Sequence, residues 1–244
     1  MRRWIAIGLV MTAAGLAPAS VAVASTDPAH PVQGPTRAEA WVARIVAPTR
    51  AYTRPRQSRV VTWLGAQARW AGGPDQLLVL GVQDDPLGRR WLRVRLPDRP
   101  NGAAGWILAD RAELSRTSWR LEVDLSARQV RAIRLGRVVR TFRAVIGAAA
   151  TPTPRGHFAV AEVVRQPDPT GFLGPWALHL TAHSDVLDDY GGGPGTVALH
   201  GRGGASLLDP LGTARSHGCI RIDDRQISFL AQVLVPGAPV TIRR

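Results

Sequence analysis

A cysteine and a histidine near the C-terminus offer the clearest chemistry in this sequence. Cys219 is the only cysteine among 244 residues, and it lies in the segment Ser216-His217-Gly218-Cys219-Ile220-Arg221. His200 precedes it by 19 residues and is followed directly by Gly201. Because the thiolate, not the thiol, is the nucleophile, a reactive cysteine needs a base nearby. The pattern therefore predicts a cysteine nucleophile with a histidine base.

Two histidines compete for the role of base. His200 ends a predicted strand just before a glycine, so its ring can face a loop, and we predict that it is the base. His217 is only two residues from the cysteine, and we predict a supporting role for it. Taken singly, a cysteine or a histidine is more often a structural residue. Their combination in one glycine-containing turn favours catalysis.

The turn around the cysteine offers further groups. Gly218 permits a sharp turn, which could leave the amides of His217, Gly218 and Cys219 free to bind an oxyanion. Arg221 offers a bidentate fork for a substrate carboxylate. Ser216 could hydrogen-bond a histidine or the substrate. These residues are predicted to orient groups or to bind the substrate.

The elements that must position these residues are mostly strands. From Ser118 onward, alternating apolar residues and turn signals predict strands, with one helix near the end of the chain. Asp223 or Asp224 would cap that helix. The predicted elements are listed here: strands at 121–125, 129–135, 138–146, 158–164, 176–180, 196–200 and 240–242, and a helix carrying Ile227, Leu230, Ala231 and Leu234.

An earlier segment, residues 38–115, shows only short apolar runs broken by turns. The run Trp91–Leu96 has the alternation of a strand, and glycine- and proline-containing turns separate it from its neighbours. We predict a small all-β unit here, separate from the domain at 117–244. Tryptophans are concentrated in it; we expect Trp91 and Trp106 in its core and leave Trp63 and Trp70 open between core and ligand groove.

The N-terminus has the composition of an export signal. Arg2 and Arg3 precede a short apolar run, and Ala22-Val23-Ala24 is a small-x-small cleavage site, so residues 1–24 are predicted to be removed after Ala24. An uncleaved anchor is the alternative. Residues 25–37 are predicted to be a flexible linker. The protein is therefore expected outside the cytoplasm, in the periplasm, cell wall or medium.

Charge narrows the range of partners. The chain has a net charge of +13, and it keeps 29 basic against 18 acidic residues, or +11, once residues 1–24 and their two arginines are removed. Such a charge attracts polyanions such as cell-wall polymers. No basic block with interleaved aromatic residues is present, so nucleic acid is not an expected partner.

Residues 118–244 resemble the catalytic domain of the L,D-transpeptidase family. The resemblance rests on His200-Gly201, on Ser216-His217-Gly218-Cys219-Ile220-Arg221 and on Thr153-Pro154-Arg155-Gly156-His157-Phe158, with Val240-Thr241-Ile242 as the closing strand. It implies an enzyme that joins peptidoglycan stem peptides. Cys219 would attack the third stem residue and release D-alanine, His200 would move the proton, and the carbonyl of Gly201 would orient His200. An amine of a second stem would complete a 3–3 cross-link.

The same resemblance implies that the enzyme uses no cofactor or metal and that a carbapenem inhibits it covalently. The acceptor stays open, because water would give an L,D-carboxypeptidase and a protein amine would give wall anchoring. Separately, Trp91-Leu92-Arg93-Val94 and Gly105-Trp106-Ile107 resemble bacterial SH3-like domains of exported proteins. That second resemblance implies a small β-barrel at 38–115 that binds cell-wall polymer or serves as a spacer.

Three rival functions remain open. A wall-lytic cysteine peptidase is disfavoured, because in such enzymes the cysteine precedes the histidine in the chain, whereas here His200 precedes Cys219. A zinc site from His200, His217 and Cys219 would need an uncommon pair of ligands two residues apart. A non-catalytic wall-binding protein would form no thioester. The predicted fold is thus mainly β: an SH3-like barrel followed by a β-rich catalytic domain with one clear helix.

Overall fold

A computed structural model describes residues 31–56, 59–189 and 194–244. The predicted signal peptide and the first part of the predicted linker lie outside these residues. Among the described residues, no helix is long and apolar enough to cross a membrane. The fold is mainly β, as expected, with two large sheets that follow one another along the chain.

The first sheet has seven strands, all of them paired antiparallel. In space they run in the order β3-β2-β6-β5-β4-β1-β7. The strands are β1 (Ala40–Ile45), β2 (Thr49–Tyr52), β3 (Val60–Leu64), β4 (Gln76–Asp84), β5 (Arg90–Arg95), β6 (Ala104–Leu108) and β7 (Ala112–Thr117), with a short 3-10 helix at Ala109–Arg111. The all-β character of this unit is confirmed, whereas its likeness to an SH3-like barrel stays a prediction.

Of the two tryptophans expected in the core of the first unit, Trp91 lies there and Trp106 does not. Trp91 is fully buried, and its indole donates a hydrogen bond to the buried carboxylate of Asp85. Trp106 is half-buried. Trp63 is 60% exposed and Trp70 is 40% exposed, so neither contributes a fully buried core residue.

The described end of the predicted linker is not detached from this unit. Val32 is buried and packs into the core of the first sheet. A side chain at Gly34 would meet the carbonyl oxygen of Leu80 at 2.7 Å, so the backbone runs close over β4. Val32 and Gly34 therefore pack against the unit, which corrects the expectation of a flexible linker at these positions. Apolar burial, which composition alone does not reveal, is the reason.

The second sheet has eight strands in the order β10-β9-β8-β17-β12-β13-β14-β16, and a small parallel pair joins β11 to β15. Its β17–β8 and β14–β16 pairs are parallel, and its remaining pairs are antiparallel. The strands are β8 (Trp119–Asp124), β9 (Gln129–Arg134), β10 (Arg137–Arg143), β11 (Ile146–Gly147), β12 (Gly156–Arg165), β13 (Trp176–His183), β14 (Thr196–His200), β15 (Ala214–Ser216), β16 (Ile220–Arg221) and β17 (Pro239–Arg243).

One helix, α1 (Asp224–Val233), packs on this sheet through Ile227 and Leu230. Asp223 caps it by accepting a hydrogen bond from the amide of Arg225, as one of the two predicted caps. A second short 3-10 helix spans Gly204–Leu208. The predicted strands and the helix are confirmed, except that the strand expected at 138–146 stops at Arg143. There the chain leaves β9, and Ile146–Gly147 pairs with β15 instead.

The two units touch at β12, an interior strand of the second sheet. Ala40 and Leu78 of the first unit form a small apolar cluster with Ala159 of β12. β7 ends at Thr117 and β8 begins at Trp119, so a single residue joins the two sheets. So short a connection leaves the units little freedom to separate.

Candidate active site

Strand pairing brings the two key residues together. β14 and β16 run parallel, with Leu199 opposite Ile220 and His200 opposite Arg221. Leu199 and Ile220 are both in the core cluster. Because successive side chains of a strand point to opposite faces, His200 and Arg221 lie on the face away from that core. Cys219 directly precedes β16, and its sulfur accepts a hydrogen bond from the backbone amide of Ala198 in β14.

His200 is held in one tautomer by its neighbour. Its Nδ1 lies 2.7 Å from the carbonyl oxygen of Gly201. A carbonyl oxygen only accepts hydrogen bonds, so Nδ1 must carry the proton, and Nε2 is left with its lone pair. The contact matches the geometry that the resemblance implied, with the Gly201 carbonyl beside the imidazole. His200 is therefore set to accept a proton through Nε2.

Burial also keeps His200 uncharged. Its side chain is 1% exposed. Burial, opposed by the hydrogen bond to Gly201 and reinforced by the charge of Arg221, lowers the pKa of His200 to about 4. The ring of Phe172 lies 6.1 Å from the imidazole and covers it further. At neutral pH the imidazole is thus a neutral base.

Cys219 is half-buried and is the sole cysteine. Burial raises the pKa of its thiol, although the contact with Ala198 and the charge of Arg221 act in the opposite direction. A raised thiol pKa and a lowered imidazole pKa both favour the uncharged pair. The resting site therefore holds a thiol and a neutral imidazole, and the proton would move when the sulfur attacks.

The turn before Cys219 is fixed by hydroxyl groups. Ser216 Oγ donates to the carbonyl of Cys219 at 2.6 Å and accepts from the amide of Gly218 at 3.1 Å. Gly218 has a φ of +116°, which a residue with a side chain rarely adopts. The Gly218 amide is bonded to Ser216 in this structure, so it is not free to donate to an oxyanion, and the residue shapes the turn. Ser216 is 1% exposed, and both of these hydrogen bonds hold the turn.

A second hydroxyl ties this turn to an earlier loop. Thr153 Oγ1 donates to the carbonyl of Gly218 at 2.8 Å and accepts from the amide of Gly147 at 2.9 Å. Thr151 adds a bond to the carbonyl of Ser216 at 3.2 Å. The Thr-Pro-x-Gly-x-Phe segment therefore buttresses the cysteine turn. The sequence alone gave no physical role to Thr153.

The side chain of Arg221 interacts with other residues of this chain. It is 4% exposed, and its guanidinium donates to Asp209 at 2.6 Å and lies 4.8 Å above the ring of Phe172. The carboxylate that it was predicted to bind is thus supplied by Asp209, although its Nε has no hydrogen-bond partner among the described residues. Sequence reasoning missed both Asp209 and Phe172, which lie on loops without a periodic pattern.

Gly201 is required by close packing as well as by its carbonyl. A side chain there would collide with a carboxylate oxygen of Asp224 and come within 3.1 Å of Ile227, at the start of α1. Asp224 also accepts a hydrogen bond from the amide of Arg202 at 2.7 Å. The start of the helix therefore fixes the chain directly after His200.

His217 is exposed, in contrast to the buried His200. Its predicted supporting role stays a prediction. In the three described stretches, no group of three histidine, cysteine or acidic residues is placed to hold a metal ion. The arrangement that the structure does bring together is a thiol, a neutral imidazole and a carbonyl that orients it, which suits acyl transfer.

Comparison with known proteins gives consistent matches for the second unit. Residues 118–242 match the YkuD family, described as the L,D-transpeptidase catalytic domain. A Bacillus licheniformis protein assigned as the L,D-transpeptidase YkuD is 34% identical over 124 residues, covering 51% of this chain and 65% of that protein. Its Bacillus subtilis (strain 168) counterpart is 29% identical over 126 residues, covering 52% and 66%. The chain thus spans somewhat less than two thirds of the length of either relative.

Among solved structures, an L,D-transpeptidase from Mycobacterium smegmatis aligns with 83% of this chain and 99% of its own length. Its sequence identity is 15% and its TM-score is 0.41. A TM-score of this size is too low to establish a shared arrangement of the whole chain. The family match therefore rests on the sequence of the second unit.

Proposed function

The chain belongs to the YkuD family of L,D-transpeptidase catalytic domains, and we propose that it is a peptidoglycan L,D-transpeptidase with Cys219 as nucleophile. The donor would be a tetrapeptide stem, cleaved after its third residue. The acceptor would be the side-chain amine of a second stem, which gives a 3–3 cross-link. Residues 1–24 have the composition of an export signal, which supports a reaction outside the cytoplasm, where this substrate lies.

In the first half of the reaction, Cys219 Sγ attacks the carbonyl carbon of the third stem residue while Nε2 of His200 takes the thiol proton. The carbon becomes tetrahedral and its oxygen becomes negative. The amides of His217 and Cys219 stay the predicted donors to that oxygen. The carbon–nitrogen bond to D-alanine then breaks, and His200 returns the proton to the departing amine. A thioester remains on Cys219.

In the second half, the amine of the acceptor stem attacks the thioester carbon. His200, neutral again after the first half, takes a proton from that amine. The carbon–sulfur bond breaks, and the sulfur recovers a proton from the imidazolium. Each half is balanced by one proton held on His200, so the proposed chemistry requires no other proton carrier.

The observation that carries this proposal is the tautomer of His200. The Gly201 carbonyl leaves Nε2 unprotonated, and burial lowers the pKa of the imidazole to about 4, so the base is available at neutral pH. The ladder pairing of β14 with β16 puts this base next to the cysteine turn. A base that were protonated at neutral pH could not accept the thiol proton.

Intact-mass measurement with a carbapenem tests the nucleophile. A β-lactam ring opens on an activated thiol, so the protein is expected to gain the mass of one drug molecule and to lose this adduct in Cys219→Ala. Leu87→Ala, an exposed change in a turn of the first unit, is the matched control and should acylate like the natural protein. An adduct that persists in Cys219→Ala would exclude Cys219 as the nucleophile.

Muropeptide analysis tests the acceptor. Sacculi treated with the protein should gain 3–3 cross-linked dimers and lose tetrapeptide stems. If tripeptides accumulate without dimers, water is the acceptor and the enzyme is an L,D-carboxypeptidase. If neither product forms although the carbapenem acylates Cys219, the site is reactive but peptidoglycan is not its substrate.

A further inference from the structure

A cleft of about 310 Å³ lies where the two units meet. This volume is at the lower end of the range for small-molecule sites. The first unit contributes one wall, and strands β12 to β14 of the second contribute the other. The lining residues with polar or aromatic side chains that matter here are Trp63, Trp70, Asp75, Arg95, His183 and Thr196.

The walls of the cleft are held in place by hydrogen bonds between the units. Asn101 bonds both the amide and the carbonyl of His183, each at 2.8 Å. Arg99 donates to the carbonyls of Ser184 and Leu187, each at 2.9 Å. These hydrogen bonds hold the loop between β5 and β6 against the end of β13. A ligand would meet a cleft that is already formed.

The opposite side of the cleft is fixed in a similar way. The buried carboxylate of Glu162 accepts hydrogen bonds from the backbone amides of Arg69, Trp70 and Ala71. The indole of Trp70 stacks on the imidazole of His179, with 4.3 Å between ring centroids. These contacts hold the loop of the first unit against β12 and β13.

Several polar atoms in the cleft nevertheless lack a partner. His183 is 4% exposed and its Nδ1 has none, and Thr196 Oγ1 and Arg95 Nε are also buried without a hydrogen bond among the described residues. Buried polar atoms are nearly always hydrogen-bonded in folded proteins, and each exception costs stability. Three such atoms around one cleft indicate a polar ligand that would satisfy them.

The chemistry of the lining selects among polar ligands. Trp63 presents an indole that is 60% exposed at the cleft, which suits stacking against the apolar face of a sugar ring. The unpaired atoms include donors and acceptors, and a hydroxyl group serves as both. The lining carries three arginines and three carboxylates, so its charges balance and favour a neutral ligand over an anion: Arg69, Arg95, Arg99, Asp75, Asp98 and Glu162. A neutral ligand rich in hydroxyl groups fits best.

We propose that this cleft binds the glycan of peptidoglycan, with one sugar ring stacked on Trp63 and its hydroxyl groups bonded to His183 and Thr196. The proposal deepens the proposed function, because it assigns the part of the substrate that the cysteine does not touch. Neither unit alone forms the site. The glycan would therefore lie at the junction of the two units and not on the first unit by itself.

The geometry connects the cleft with the cysteine. Thr196 and His200 are four residues apart on β14, so they lie on the same face at a distance of about 13 Å. His183 pairs with Thr196 and shares that face. Three extended residues of a stem peptide span about 10 Å. A stem attached to a sugar in the cleft could therefore present its third residue to Cys219.

Calorimetric titration of the mature protein with a tetramer of β-1,4-linked N-acetylglucosamine tests the proposal. This probe has no stem peptide, so binding reports the glycan site alone. Saturable binding is expected, weakened about tenfold by Trp63→Ala and about fivefold by Thr196→Val, which keeps the shape but removes the hydroxyl. Thr196→Ser should restore part of the loss, and Leu87→Ala should bind like the natural protein.

Two measurements on the natural protein distinguish a failure of the glycan site from a failure of the proposed function. Acylation by a carbapenem at Cys219 is measured on the same sample, and the acylated protein should still bind the tetramer because the cleft lies apart from the thiol. Absence of tetramer binding at millimolar concentrations, or binding that ignores both cleft variants, would overturn the glycan site. If a free stem tetrapeptide binds instead and loses affinity in Thr196→Val, the cleft is a peptide site and the proposal is likewise wrong.

Discussion

Two regions on one face of the second sheet differ in how their polar groups are satisfied. Around Cys219, the hydroxyl groups of Ser216 and Thr153 each make two hydrogen bonds, so the turn is fixed from within. In the interdomain cleft, His183 Nδ1 and Thr196 Oγ1 are buried without partners. The turn around the predicted nucleophile is thus rigid without a ligand, whereas the proposed glycan cleft keeps polar atoms that a ligand would satisfy.

Replacing the predicted base should have the largest effect on the region around Cys219. His200→Ala should slow carbapenem acylation of Cys219 by about 100-fold or more, since it removes the proton acceptor while leaving the thiol. His217→Ala should have a smaller effect, because that ring is exposed. Stopped-flow or mass-spectrometric acylation rates measure both. A larger loss in His217→Ala would reverse the assigned roles.

The pH dependence of acylation sharpens the same assignment. The pKa of His200 is lowered to about 4, so the imidazole stays neutral well below the usual range of a histidine. Lowering the pH from 7 to 6 should therefore protonate almost none of the base, and the acid limb of the acylation rate should appear closer to pH 4 than to 6.5. An acid limb centred near 6.5 would show that the base is not buried as described.

Thr153 tests whether the frame of the cysteine turn is needed. Thr153→Val keeps the shape but leaves the Gly218 carbonyl and the Gly147 amide without their partner, in a residue that is 3% exposed. We expect a loss of about 1–3 kcal/mol in unfolding free energy and a slower acylation. Thr153→Ser, which retains the hydroxyl, is the matched control. Equal behaviour of the two variants would mean that the frame is not held by this oxygen.

Glu162 tests the contact between the units. Glu162→Gln removes the negative charge that accepts three backbone amides, and we expect a loss of about 1–3 kcal/mol in unfolding free energy by chemical denaturation. Glu113→Gln is the control, because that carboxylate pairs with Arg44 at the exposed surface and should contribute about 1 kcal/mol or less. Similar losses in both variants would contradict a fixed interface.

Replacing Asp75 should have the smallest effect, which shows as a change in how the unfolding free energy depends on pH. Burial, together with the charges of Glu162 and Asp98, raises the pKa of Asp75 to about 6 from 3.8. The folded state therefore binds the proton more tightly, so this residue favours folding at low pH, and the benefit is lost as pH rises from about 4 to 6. Asp75→Asn should flatten that slope and stabilise the protein by about 1–2 kcal/mol at pH 8. A steeper slope in the variant would reverse the sign.

Much of the second unit could be predicted from its sequence, because the signals are local. Alternating apolar residues gave β8, β9, β12 and β14, and an aspartate before a helical stripe gave α1. The end of β10 could not be predicted, since the apolar run continues past Arg143 while the chain changes its pairing partner. The packing of Val32 and Gly34 could not be predicted for the same reason, because their contacts lie in distant parts of the chain.

From the sequence alone, Cys219 and His200 were predicted as nucleophile and base, because a sole cysteine in a histidine-glycine turn is recognisable without coordinates. The resemblance to the L,D-transpeptidase family added the carbonyl of Gly201 as the group that would orient the base. Three features were visible only in the tertiary structure. Arg221 pairs with Asp209, and the amide of Gly218 donates a hydrogen bond to Ser216. A cleft with unpaired polar atoms lies between the units. Partners distant in sequence, and atoms left without partners, depend on how the chain packs. No local pattern of residues encodes them.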